Sequence, residues 1–247
     1  MCGRYCITSA PEAIRALFRY PNRPNFPPRY NVAPTQPVPI VRLMEGERRF
    51  ALVRWGLIPP WVKDPKGFAL LINARGETVN EKPAFRNAMK RRRCLFPADG
   101  FYEWKVQGPR RRAFHARRPG GGPLAFAGLW ETWMGPDGEE METAAIVTTQ
   151  ANKEMGTVHH RAPVILSPEQ FDFWLSHEVD AKAAAELFKP APDGSMEVYE
   201  VSPAVNKVAN DSPELVEPYT APDAETAVAK PRSKIKRASD NGQGSLF

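Results

Sequence analysis

Between Val38 and Thr149 the sequence repeats one arrangement: short runs rich in Val, Ile, Phe, Trp and Thr, each closed by Gly, Pro or charged turn residues. Runs of that length and composition, parted by such punctuation, specify β-strands following one another as hairpins. The expected strands cover 38–43, 49–55, 94–96, 100–106, 113–116, 124–133 and 143–149, with two more at 164–166 and 196–201. Between Pro21 and Pro39 seven prolines forbid helix and impose an extended segment, in which Tyr30-Asn31-Val32-Ala33-Pro34 reads as a rigid turn. The fold class that follows is α+β, a single domain with a mainly antiparallel, barrel-like β core and peripheral short helices.

The helices are sought where apolar residues fall at helical spacing behind a capping signal. Ser9-Ala10-Pro11-Glu12 reads as a capping box opening a helix over about 10–19, with Ile14, Leu17 and Phe18 inward. Residues 82–93 form a second, with Ala84, Phe85, Ala88 and Met89 inward and Lys90-Arg91-Arg92-Arg93 as a solvated last turn that complements the helix dipole. A short helix is expected over 151–158. Ser167-Pro168-Glu169-Gln170 opens another, and 180–188 gives a last one. Beyond about Pro218 large apolar residues nearly vanish, so the expected organisation is one domain over 2–218 and a disordered tail over 219–247.

Composition excludes several classes. With 42% apolar and 25% charged residues the 247-residue chain is globular, and no apolar run approaches the length of a membrane span. Three cysteines are too few for a disulfide scaffold and suit a reducing compartment, so a cytoplasmic location is the expectation; a monomer is expected as well. Cys2 and Cys6 lack a second close pair, and no ligand spacing joins Cys94 to the histidines, so neither metal nor cofactor is expected. Net charge is +6. From Glu214 onward five acidic residues balance five basic ones, so the excess sits in residues 1–213. A basic folded region is compatible with a polyanionic partner.

The candidate chemistry starts at Met1-Cys2-Gly3-Arg4. Removal of Met1 would leave Cys2 with a free α-amine and a thiol on adjacent carbons. An α-amine titrates near ~7.7–8.0, so part of it is neutral at pH 7. It can attack an aldehyde to give a Schiff base that the thiol closes to a thiazolidine, or serve as local base for a thiol nucleophile. Other residues keep two readings. Glu103, between Tyr102 and Trp104, is either on a solvated face or a general acid or base in an aromatic pocket. His159 and His160 beside Arg161 are either caps at a helix-to-strand junction or part of an anion site or proton shuttle. Asn73 and Arg75 would share one face of an extended segment, suited to a phosphate or carbonyl oxygen or else to a surface turn. Trp61, beside Pro59-Pro60, is either a presented aromatic or packing under a loop.

Six stretches carry a resemblance. They are Met1–Tyr5, Tyr30–Pro34, Trp55–Trp61, Ile72–Thr78, Ala98–Lys105 and His159–Leu166. In this order they resemble the SOS-response-associated peptidase (SRAP) family, which includes abasic-site processing proteins, and the likeness runs from Cys2 to about Pro213. The resemblance implies an N-terminal cysteine, exposed by self-removal of Met1, that captures the aldehyde of an abasic site in single-stranded DNA. By position, Cys2 would be the crosslinking nucleophile and Asn73 would hold the amine and sugar. Glu103 would be acid/base, and His159 would protonate the opening sugar oxygen. Arg4, Arg75, Thr148 and Arg161 would meet the strand, with Trp61 and Pro34 wedged against bases. Lyase activity would follow if the Schiff base eliminated before ring closure. Ala162 stands where the family often has Met, and Cys6 lies close enough in sequence to suggest a competing disulfide. The tail segment Lys230–Arg237 would add nonspecific DNA contact.

Two other functions remain open on the residues alone. One is a thiol peptidase or amidase of the N-terminal-nucleophile type. The other is a noncatalytic single-strand-binding module in which Cys2 is incidental.

Overall fold

The computed structural model describes residues 2–108 and 110–220. The expected tail and its Lys230–Arg237 segment, like Met1, lie outside the described residues. In chain order the elements are β1 (Tyr5–Ile7), α1 (Pro11–Phe18), β2 (Arg29–Val32), β3 (Pro37–Met44), β4 (Glu47–Trp55) and β5 (Asn73–Arg75). Then come α2 (Arg86–Arg91), β6 (Arg93–Ala98), β7 (Gly100–Gln107), β8 (Arg110–Arg117), β9 (Leu124–Met134) and β10 (Glu140–Gln150). The last are α3 (Lys153–Gly156), β11 (Arg161–Pro163), α4 (Phe171–Leu175), α5 (Ala181–Ala185) and β12 (Glu197–Glu200).

The expected antiparallel, barrel-like core is present. β4, β3, β6 and β9 hydrogen-bond in that order, and β10 pairs with both ends of the series. It runs antiparallel to β9 and parallel to β4, so five strands close on themselves. Closure removes the exposed edges that such a series would otherwise carry. A second sheet, β12-β8-β7-β1-β2, is antiparallel throughout. The chain passes from barrel to second sheet through Asp99 alone, between β6 and β7. The Asp99 carboxylate accepts from the backbone of Thr8 at 2.6 Å and Ser9 at 2.8 Å, and from Ser9 Oγ, and so holds the end of β1 against that passage.

Every strand expected between 38 and 149 is found, lengthened at its ends by up to three residues. The 164–166 segment forms one bridge, Ile165 to Phe126, and the strand proper is the preceding β11. Tyr30–Val32 is not a turn but part of β2, an edge strand paired only with β1. Prolines flank it where no ladder donor is needed. Asn31 fixes it from the side, with Nδ2 donating to Asn210 O at 2.8 Å and to Val205 O and Lys207 O at 3.2 Å each.

The helices show where local signals yield to packing. Ser9 does not cap α1: the N-cap is Ala10, with no side-chain bond, because Ser9 Oγ is taken by Asp99. The helix forms because Ile14 and Phe18, one turn apart, are buried, and Phe18 stacks on Phe171 at 5.3 Å. Burying two such side chains contributes about 1.5–3 kcal/mol each, more than the ~1 kcal/mol of a missing cap. α2 is shorter than expected, and Arg93 is no solvated end. It is 3% exposed and donates to Trp174 O at 2.6 Å, Val179 O at 2.8 Å, Met89 O at 2.9 Å and also to Ser176 O. At the 168–170 turn Gln170 Oε1 does accept from Ser167 N–H at 2.9 Å, as the capping signal requires.

The main core fills the barrel and the inner face of the second sheet, where Tyr5, Phe101 and Trp55 meet. Tyr5 lies edge-on to Trp55 at 5.3 Å, and Phe101 edge-on to Phe126 at 5.8 Å. A smaller core of Cys6, Tyr102, Ala113, Val201, Val205 and Leu215 covers the other face of the second sheet. That sheet is therefore buried on both sides near β1 and β7. Among the described residues no helix is long and apolar enough to cross a membrane.

Candidate functional site

Cys2 is 0% exposed and enters just ahead of β1. Two contacts seat it. Tyr102 N–H donates to Arg4 O at 2.9 Å, continuing the β1–β7 ladder, and Asn73 Nδ2 donates to Cys2 O at 2.9 Å. Asn73 itself opens β5, which pairs parallel with β10 at Ile146, Val147 and Thr148.

Glu103 comes from β7. Side chains alternate along a strand, and Phe101 belongs to the main core while Tyr102 belongs to the smaller one. Glu103 shares the face of Phe101 and is 3% exposed, so it is not on a solvated face. Its charge bears on two groups. Burial drives the Cys2 thiol well above its ordinary range, and the Glu103 carboxylate adds to that rise. Burial also lowers His159, against which the same carboxylate pulls upward. Interactions of this kind weaken with separation, so Cys2, Glu103 and His159 form one electrostatic unit.

His159 lies just past α3, half-buried, with its backbone N–H donating to Met155 O at 2.9 Å. Its Nδ1 accepts from the Arg161 backbone N–H at 2.9 Å. The same nitrogen lies 3.3 Å from Arg161 O; the shorter contact, to a backbone N–H that can only donate, favours the neutral tautomer with its proton on Nε2. His160 is exposed and stacks on His159 at 4.5 Å between centroids. Two polar atoms of this region, Asn73 Oδ1 and the Tyr5 hydroxyl, are buried without a hydrogen bond among the described residues. Buried polar atoms are rarely left so, and each marks a place where a ligand group can bond.

Beside this unit the far half of β10 gathers a cationic group. β5 flanks it on one edge and β11 on the other, so Thr148 is opposite both Arg75 and Pro163. Arg75 is exposed. Arg161 Nη2 donates to Thr148 O at 2.7 Å and Thr148 Oγ1 at 3.2 Å. Its two terminal nitrogens also grip the Glu77 carboxylate, one at 2.9 Å and the other closer. Glu77 was assigned no role from sequence. It lies in the turn that follows β5, where strand alternation does not tell which way a side chain faces.

The remaining sequence candidates separate. Arg4 turns toward the smaller core, donating to Asn31 Oδ1 at 2.7 Å and Val205 O at 2.8 Å. Trp61 is 56% exposed, propped edge-on by Phe68 at 5.6 Å. Pro34 is half-buried at the turn between β2 and β3. The three cysteines are unpaired thiols, and Cys6 lies in the smaller core while Cys2 lies in the main one, so the suggested Cys2–Cys6 disulfide has no geometric basis. A groove of about 650 Å³ lined by Leu124, Ile165, Leu187 and Met196 contains none of the candidate residues.

Known proteins resemble this chain in sequence and fold. The family model described as SOS response associated peptidase (SRAP) matches residues 1–208. The chain is 39% identical to the abasic site processing protein YoqW of Bacillus subtilis, over 89% of this chain and 100% of that one. It is 32% identical to the abasic site processing protein YedK of Escherichia coli, over 88% and 100%. A crystal structure of a protein from Bacteroides thetaiotaomicron superposes with a TM-score of 0.80 at 25% identity, over 89% of this chain and 100% of that one. The fold, the ordered motifs and a match spanning most of the sequence lead to one statement: the chain belongs to the SOS response associated peptidase (SRAP) family.

Proposed function

We propose that this protein processes abasic sites in single-stranded DNA, capturing the sugar aldehyde covalently through Cys2. The observation that carries this reading is the Asn73 hydrogen bond to Cys2 O together with a buried Glu103 carboxylate that acts on both the buried Cys2 thiol and His159. A thiol hydrolase works through a thiolate, the form that burial of Cys2 disfavours. A noncatalytic binding module would have no reason to bury a carboxylate beside a thiol, because an ionisable group so placed is costly.

The sequence of events follows from the chemistry of the residues. Hydrolysis of the Met1–Cys2 bond, consuming one water and releasing methionine, exposes the α-amine. The amine adds to the aldehyde and water leaves, giving a Schiff base. The neutral thiol then adds across the C=N bond: sulfur bonds to carbon, and its proton passes to nitrogen. Glu103 exchanges the protons of the first two steps. His159, in the protonated form that the Glu103 carboxylate favours, gives a proton to the sugar ring oxygen as the ring opens and is left neutral. Asn73 orients the amine, and its free Oδ1 accepts from that amine or the sugar. Loss of the 3′ phosphate from an unclosed Schiff base would give lyase activity as a side course. Arg75, Arg161 and Thr148 hold the strand's phosphates while Trp61 and Pro34 stack at the gap, supplying affinity that does not depend on sequence. Arg4, bonded to Asn31 and Val205, steadies the segment behind Cys2.

The test is intact mass of the purified protein, alone and after incubation with single-stranded DNA bearing one abasic site. The expected result is loss of Met1 and a stable adduct equal to protein plus DNA minus one water. A protein that retains Met1 and yields no adduct would overturn the proposal.

A further inference from the structure

Arg161 is almost enclosed, with 10% of its side chain exposed, whereas its partner Glu77 is 48% exposed. The asymmetry matters more than the pair itself. Arg161 is fixed from behind by Thr148, which takes two of its hydrogen bonds. Glu77 follows Gly76 at the end of β5, where Gly76 N–H donates to Thr148 O at 2.8 Å, and besides Arg161 its carboxylate is met by its own backbone N–H, which moves with it. Only Glu77 can leave the pair without carrying a charge into the interior. Two carboxylate oxygens on one guanidinium also present the same geometry as the two nonbridging oxygens of a phosphodiester. The exposed Arg75 stands beside the pair, so an arriving phosphate meets a second cation at the same place.

We infer that Glu77 is a built-in stand-in for a DNA phosphate: it occupies Arg161 in the free protein and is displaced when the strand docks. This rests on the reading that Arg161 meets DNA. An enclosed guanidinium left without an anion would be strongly disfavoured, and Glu77 removes that difficulty in the absence of substrate. It does so at the expense of affinity, because every strand must first expel it. The consequence is selectivity. Undamaged single strands are held weakly, and retention falls to the covalent step at the lesion.

The experiment uses single-stranded DNA with a tetrahydrofuran abasic analogue, which has no aldehyde and cannot be captured, so that binding alone is read by anisotropy over a salt series. Glu77→Gln keeps the shape and removes the competing charge. The expected result is binding about fivefold tighter or more at low salt. The plot of log affinity against log salt should also steepen by about 0.7, because the wild type recruits one cation to the released carboxylate and the variant does not. Unchanged or weaker binding with an unchanged slope would overturn the inference and make Glu77 a fixed brace for Arg161. Should E77Q lose its cooperative melt, Glu77→Asp tests the same point: it shortens the carboxylate's reach to the fork, so tighter binding is again expected. Failure of the wild type to bind the analogue strand would bring down the proposed function and this inference together, whereas wild-type binding with indifferent variants brings down this inference alone.

Discussion

The molecule contains two buried cysteines tied to a histidine, Cys6 by direct contact and Cys2 through the shared Glu103 carboxylate, and only one of the two sites has the features of a reactive centre. Cys6 Sγ lies 3.3 Å from His115 Nε2, and His115 Nδ1 lies 3.0 Å from the Tyr199 hydroxyl. That hydroxyl donates to Val216 O at 2.7 Å, so it accepts from Nδ1–H, and Nε2 is left to accept from the thiol, whose other acceptor, Gly100 O, is farther at 3.6 Å. Every polar atom in the line has a partner, and His115 is 2% exposed. Around Cys2 the histidine is half-exposed, and Asn73 Oδ1 has no hydrogen bond among the described residues. A thiol and an imidazole therefore do not make a site. Access and unfilled hydrogen-bonding capacity do.

Four predictions test that contrast. The largest effect is expected for Cys2→Ala, which should abolish the covalent DNA adduct, while Cys6→Ala keeps it. The Cys6 change should instead cost about 1–3 kcal/mol of stability by leaving His115 Nε2 without its donor, read as a lower urea midpoint. An adduct that survives C2A and disappears in C6A would reverse the assignment of the two thiols.

Glu103→Gln should slow adduct formation by about 10²–10⁴-fold in single-turnover assays, the usual range for a lost general acid or base, with little change in strand binding. A rate within threefold of wild type would remove Glu103 from the chemistry.

The closed site should show itself in pH. Burial lowers His115 from 6.5 to about 3. Its neutral form is favoured in the folded state, so its contribution is complete above about 6.5 and is lost as pH falls toward 3. In that window stability should drop by up to ~1.4 kcal/mol per pH unit. His115→Gln should flatten that part of the urea-midpoint profile, and an unaltered slope would contradict the burial argument. Smallest is Tyr199→Phe, which should remove about 1 kcal/mol of stability and leave the capture rate untouched. A slowed capture rate would mean that the two sites communicate.

Much of the architecture was legible because the strand signals of 38–149 are local: alternation, β-branched residues and turn punctuation each speak for a few residues at a time. Five-strand closure was not, because it depends on β10 reaching both β4 and β9, a nonlocal fact. Ser9 misled for a related reason. Its hydroxyl had two competitors, the nearby helix and Asp99 ninety residues on, and the distant one won. Arg93 looked solvated because a basic run at a helix end usually is, and nothing local announced the carbonyls that receive it. At the site, Cys2, Asn73, Glu103 and His159 were picked from motif order, and the structure brings them to one place. Glu103 remained ambiguous in sequence because alternation predicts which residues share a face but not whether the other face is covered as well. Glu77 was passed over since its meaning comes from Arg161, on a different strand.

One strand links closure to chemistry. The same β10 that completes the barrel through Glu140–Ile146 carries, in its next residues, the partners of β5 and β11. The cradle around Thr148 cannot loosen on its own without fraying a staple of the barrel. In hydrogen–deuterium exchange the amides of Ile146 and Val164, bonded to Ile72 O and Val147 O, should open only with the whole molecule. Rigidity at the candidate site is thus inherited from the barrel rather than acquired on binding, and on the proposed function little ordering entropy is left to oppose capture.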